Sequence, residues 1–213
     1  MKKGKYEAGK EQPAEEVQER TPESFWSSVM LYVHDLLYIL IIALTLLLFC
    51  FRIVIVSGSS MKATLLDGDY LLLLSSTFYR NPQQGDIVVV SKSSFDGGEP
   101  IVKRVVATAG QKVDIDFENG VVYVDDQPLD EPYTYTPTTE SEGVIFPLTV
   151  DEGCIFVMGD NRGITLDSRS REIGMIDCRE VIGKAIFLFF PGTDKGYAPR
   201  DFSRIGVLNH AAG

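Results

Sequence analysis

The chain has 213 residues, a hydrophobic share of 45% and a net charge of −10. That length allows one modest domain plus an anchor, and the acidic balance excludes a nucleic-acid binder or a polybasic membrane-surface protein, since both need a basic face. Its three cysteines and two histidines show neither Cys-x-x-Cys nor His-x-x-x-His spacing, so neither a metal nor a cofactor is expected.

Taken in order, residues 1–29 are expected to form a disordered tail. The first 24 positions are rich in Lys, Glu, Gln and Pro and carry too little apolar surface to offset the entropy of ordering. Trp26 and Tyr32 then supply side chains that favour a membrane interface. From Leu36 to Phe51 every residue but Thr45 is apolar or aromatic. A bilayer needs about 20 residues of helix. Met30 to Phe51 suffices, as does Leu36 to Val56 with Arg52 snorkelling, so residues 30–56 are read as a transmembrane helix and a membrane-proximal strand. The run exceeds a cleaved secretory signal, although Ser57-x-Ser59 has small-x-small cleavage spacing. It is also too apolar on every side for a core helix.

Strand signals follow over residues 57–195. They include Asp69 to Leu74, Gly85 to Val90, Ile101 to Ala107, Ile155 to Met158 and Ile182 to Phe190. Lys112 to Phe117 and Val121 to Asp125 flank Asn119-Gly120, a strong hairpin signal. Strands at short intervals with Gly-rich turns predict a mainly β, antiparallel domain. The Pro/Thr/Glu-rich stretch near 128–150 reads as an exposed excursion, and residues 196–213 as a C-terminal tail. Cys154 and Cys178 pair only if the fold brings them together.

The stretch from Ser57 to Asp69 stands between the apolar run and the β-domain, with Ser60 as a candidate nucleophile. A histidine base is poorly supplied: His34 begins the span and His210 is near the C-terminus. Lysine is the known substitute, provided burial disfavours its ammonium form. Lys103 fits, inside the β-branched run Ile101-Val102-Lys103-Arg104-Val105-Val106. By alternation it shares a face with Ile101 and Val105, opposite Val102, Arg104 and Val106. A solvated lysine on an edge strand is the plainer alternative. Ser59-x-x-Lys62 matches the Ser-x-x-Lys motif, but it lacks that motif's helix start and downstream partners. Gly159 to Arg169 is either a polar turn or a hydrogen-bonded brace around a site.

Four boxes together resemble the type I signal peptidases. They are Ser60-Met61-x-x-Thr64-Leu65-x-x-Gly68-Asp69, Gly85-Asp86-Ile87-Val88, Val102-Lys103-Arg104-Val105, and Gly159-Asp160-Asn161-Arg162 with Asp167-Ser168-Arg169. Their order behind a membrane span covers roughly residues 30–190. The resemblance implies a single transmembrane helix before a partly open β-barrel. It implies a serine endopeptidase on the outer side of a bacterial cytoplasmic membrane, removing signal peptides from secretory preproteins in contact with the bilayer and the secretion machinery. Ser60 would be the nucleophile and Lys103 the base. Thr165 would orient the lysine, and Asp160, Arg162, Asp167, Ser168 and Arg169 would support the site. The Ser60 N–H would stabilise the oxyanion. Gly58 falls where some members have a second serine hydroxyl, so that donor would come from elsewhere. Met61, Leu65, Ile101 and Val102 would line the pocket for the residue before the cut, and Val54 and Val56 the next pocket upstream.

Two departures stand out. Ala63 replaces the usual proline, and Gly163-Ile164 replaces a more polar pair. The second motivates the alternative of a tethered β-domain that binds preproteins without cleaving them. A self-cleaving repressor-type Ser/Lys protease is disfavoured by the span and the charge.

Overall fold

The computed structural model of the chain describes residues 22–93, 98–164, 166–193 and 199–208. One helix, α1 (Pro22–Cys50), precedes twelve strands among these residues. Proline suits a first helical turn, where its missing N–H forfeits no bond. The helix therefore starts inside the stretch expected to be a disordered tail, and residues 22–29 are helical. Residues 1–21 lie outside the described residues.

Residues Phe25–Cys50 are long and apolar enough to cross a membrane. The span does not continue to Val56. Phe51–Ile55 is instead strand β1, pairing antiparallel with β2 (Tyr70–Ser75) from Phe51 opposite Leu74 to Ile55 opposite Tyr70. Phe-Arg-Ile-Val-Ile is β-branched and aromatic, and a strand edge was available to satisfy its backbone.

The β-rich unit begins at Leu46. Beyond β1 and β2 its strands are β3 (Ile87–Val90), β4 (Ile101–Thr108), β5 (Lys112–Asp116), β6 (Val121–Val124), β7 (Gln127–Pro128), β8 (Leu148–Thr149), β9 (Cys154–Met158), β10 (Ile176–Asp177), β11 (Val181–Phe190) and β12 (Gly206–Val207). The main sheet runs β1-β2-β11-β3-β4-β9-β10, with β12 on β11, and every pairing in it is antiparallel. Register shifts break the ladders at Val105/Ala107, Val181/Gly183, Ala185/Phe187 and Leu188/Phe190. Bulges of this kind bend and twist a strand, and the sheet curls into a half-barrel. A second sheet, β7-β6-β5-β8, carries the expected hairpin at Asn119-Gly120.

Period-2 alternation divides the core. Val56, Met61, Leu65, Leu71, Leu73, Ile87, Val89 and Val102 pack on one face of the main sheet. Val88, Val90, Val105, Ile155, Val157 and Val181 pack on the other, with Ile173 and Ile176. Val106, Phe156 and Met158 meet Val113, Ile115, Val122 and Val124 of the second sheet. Strand β3 is buried at every position, because it lies inside the sheet with a core on each side. Cys154 and Cys178 are separate thiols, although Asp177 stands directly opposite Cys154 in the ladder.

Candidate active site

The loop carrying Ser60 is closed at its base by Val56 N–H donating to Asp69 O (2.8 Å) and Gly68 N–H donating to Val56 O (2.9 Å). Gly58 takes φ +87°, a region a β-carbon disfavours, and its N–H donates to Asp67 Oδ1 at 2.8 Å. Beneath the loop, Met61 and Leu65 are buried pins in the sheet core. Ser60 itself is half-buried. Its carbonyl accepts the Asn161 N–H at 2.9 Å, and the Asn161 side chain donates to Ser59 O at 3.2 Å. Gly159 lies against the same peptide, where an added β-carbon would fall 2.5 Å from Ser60 O. Glycine there is what lets the two backbones meet.

Ser60 opens on a groove of about 290 Å³ that is lined by Val54, Val56, Met61, Ile101 and Val102, with Ser57 and Glu99 at its margins. Both groups of predicted pocket residues therefore meet in one cavity. Leu65 is the exception. It is fully buried and supports the loop from below, where it borders a second cavity with Lys62 and Thr193.

Lys103 follows the groove residues Ile101 and Val102 on β4 and is 2% exposed, so the solvated-edge alternative is excluded. It stands opposite Val88 on β3. The predicted alternation holds: Ile101 and Val105 pack with Val88, whereas Val102 joins the other face. Burial drives its ammonium below the usual lysine range. The neighbouring charges divide: Asp167, Glu142 and Asp160 oppose that shift and Arg169 reinforces it.

The polar segment after β9 is a brace of paired charges. Arg104, opposite Met158 in the ladder, grips Asp160 with Nε to Oδ1 at 2.8 Å and Nη2 to Oδ2 at 2.7 Å. Thr64 Oγ1 donates to the same carboxylate at 2.5 Å, tying the Ser60 loop to the brace. Arg162 donates to Gly159 O at 3.0 Å and to Thr138 Oγ1 at 2.7 Å, and also pairs with Glu131. Arg169 is bidentate on Asp167 at 2.9 and 2.9 Å, while Asp167 Oδ2 accepts the Gly159 N–H at 3.1 Å. Ser168 Oγ accepts the Val157 N–H at 2.9 Å. Asp160, Arg162, Asp167, Ser168 and Arg169 are all buried, so the segment is a brace and not a solvated turn. Thr165 lies outside the described residues, as does His210.

Several partners escaped the sequence reading. Arg104 stood beside the lysine in the same motif, and its burial is the signal that separates it from a surface charge. Asn161 was inside a quoted box, yet its hold on Ser59 and Ser60 is a contact across the fold. Glu131, Thr138 and Glu142 come from the stretch near 128–150. That stretch is less exposed than predicted: Thr138 is fully buried against Arg162.

The chain matches the family model described as signal peptidase, peptidase S26, over residues 29–190. It is 34% identical over 178 residues to a probable signal peptidase I-1 of Synechocystis sp., covering 80% of this chain and 87% of the relative. It is 33% identical over 176 residues to a signal peptidase I of Bacillus licheniformis, covering 78% of this chain and 90% of the relative. A crystal structure of a signal peptidase I from Enterococcus faecalis V583 aligns with a TM-score of 0.40 and 28% identity, over 49% of this chain and 96% of that one. On the family match and these identities, the chain belongs to the signal peptidase family, peptidase S26.

Proposed function

We propose that the protein is a membrane-anchored serine endopeptidase that removes signal peptides from exported preproteins. The observation that carries this reading is the dry lysine beside the groove: Lys103 is 2% exposed and directly follows two residues that line the same cavity as Ser60. The register adds support. Arg104 pairs with Met158, so Lys103 lies level with the start of the Gly159 segment, and Gly159 packs on Ser60.

In this mechanism the neutral Lys103 amine takes the proton of Ser60 Oγ as that oxygen attacks the scissile carbonyl. The Ser60 N–H stabilises the oxyanion. The protonated amine then passes its proton to the leaving amine, and water releases the acyl group by the same base. Thr165 is assigned the role of orienting the lysine. The groove, with Val54, Val56, Met61, Ile101 and Val102 in its lining, is assigned the selection of small side chains, as in an Ala-x-Ala site. The Phe25–Cys50 helix is the anchor, and the β-rich unit faces outward from a bacterial cytoplasmic membrane, near the secretion machinery. Relatives named signal peptidase I support the substrate class.

The test is turnover of a preprotein with an Ala-x-Ala site by Ser60→Ala and Lys103→Ala. Both are expected to lose at least about 10³-fold in kcat. Near-normal turnover by either variant rejects the dyad.

A further inference from the structure

Outside the proposed dyad, one side chain is built into the site without an assigned part. Glu142 comes from the stretch between β7 and β8, and its side chain is 11% exposed. Its Oε2 accepts the Leu166 N–H at 3.2 Å. Leu166 takes φ +87°, unusual for a branched side chain, so that bond holds a backbone that would otherwise relax. Its Oε1 is buried and makes no hydrogen bond among the described residues, although it lies 3.4 Å from Arg169 Nη2. Glu142 is not loosely placed. Val144 N–H donates to Arg169 O at 3.2 Å, and Arg171 Nε donates to Gly143 O at 2.6 Å, which fixes the chain on its C-terminal side.

Charge counting gives this carboxylate a role. Asp167 already satisfies Arg169 through two bonds, so that pair neutralises itself. Asp160 is likewise matched by Arg104. Glu142 is a second carboxylate on one guanidinium and leaves one negative charge over. Lys103 lies level with Gly159, whose N–H donates to Asp167, and Arg169 joins Asp167 to Glu142, so Asp167, Arg169, Glu142 and Asp160 are among the charges that act on Lys103. Protonated Lys103 therefore completes a neutral cluster, and neutral Lys103 leaves it singly negative. Burial also pushes the Glu142 carboxyl above the usual carboxylate range, as expected for an acid short of partners.

We propose that Glu142 is a positioning residue for the Lys103 base, setting the pH at which the enzyme switches on while its second oxygen holds the Leu166 backbone. This rests on the Ser60/Lys103 reading. The sign is definite: removing the Glu142 charge disfavours the Lys103 ammonium, so the amine becomes neutral at lower pH.

The experiment is the pH profile of kcat/KM on an Ala-x-Ala peptide for wild type, Glu142→Gln, Glu142→Asp and Glu142→Ala, with Lys103→Ala as control. Glu142→Gln keeps an oxygen for Leu166, and its acid limb is expected to move down by about one pH unit with the plateau kcat within about threefold. Glu142→Asp keeps the charge and is expected to leave the limb in place. Glu142→Ala is expected to move the limb equally and lower the plateau roughly tenfold through lost orientation. An unmoved limb in Glu142→Gln, or an equal shift in Glu142→Asp, overturns the proposal. If Lys103→Ala is inactive while the limb stays put, only the part given to Glu142 fails. If Lys103→Ala turns over normally, the dyad fails and this role with it.

Discussion

A buried lysine is a thermodynamic burden on the fold, whatever its part in the chemistry. In the unfolded chain Lys103 titrates at the ordinary lysine value of 10.5, and in the fold burial holds it lower. The folded state therefore binds fewer protons than the unfolded state between those two values, and stability rises with pH across that window. Below the folded value both states are protonated and the destabilisation is full; above 10.5 both are neutral and it vanishes. Replacing Lys103 by Met, similar in length and uncharged, should abolish cleavage and stabilise the protein. The gain should shrink as pH approaches 10.5, by about 1.4 kcal/mol per unit inside the window. Urea unfolding of both proteins from pH 6 to pH 10 measures it. A gain independent of pH, or a loss, would contradict the dry-amine account. The burial of Lys103 was legible in the sequence because the lysine stands inside a β-branched run, where a charge is a local conflict. Glu142 was not legible. It sits in a Pro/Thr/Glu-rich stretch that reads as solvated, and its partners, Leu166 and Arg169, are defined only by the fold.

At the level of elements, one buried carboxylate ties the segment before β3 to β11. Asp86, just before β3, accepts the Tyr79 hydroxyl at 2.5 Å and the Gln83 N–H at 3.1 Å, and pairs with Lys184 of β11 at 2.5 Å. Burial alone would raise its carboxyl. The bonds from Lys184, Tyr79 and Gln83 outweigh burial and hold it below the usual range. A carboxylate depressed in the fold adds stability that is present above its unfolded value and is lost as pH falls through the folded one. Asp86→Asn should therefore cost about 3 kcal/mol at pH 7, because Lys184 is left facing a neutral partner. The difference from wild type should narrow below pH 3.8. Denaturant midpoints at pH 7 and pH 3 check this, and an equal deficit at both would refute it. Of the elements themselves, the Asn119-Gly120 hairpin could be read locally because turn chemistry specifies it. The end of α1 could not. Phe51 to Ile55 is apolar enough to extend a span, and only its pairing with Tyr70 to Leu74 makes it a strand.

At the scale of the whole chain, two compact units divide between Thr45 and Leu46, inside α1, so that the first holds most of the apolar helix and the second its last turn and all the strands. Their proposed labour is divided in the same way. The groove, Ser60, Lys103 and the brace all belong to the second unit. In the proposed function the helix would contribute tethering, which raises the effective concentration of a substrate held in the same bilayer. Deleting residues 1–45 should then leave kcat/KM on a short soluble Ala-x-Ala peptide in detergent within about threefold of the full chain. The same deletion should slow cleavage of a full preprotein in liposomes by at least about 10²-fold, the lower range of tethering gains. The comparison is a ratio of two rates on two substrates, so a partly inactive preparation cancels. Equal losses on both substrates would mean that the helix supports the fold of the site. No loss on either would mean that the membrane plays no part in substrate capture.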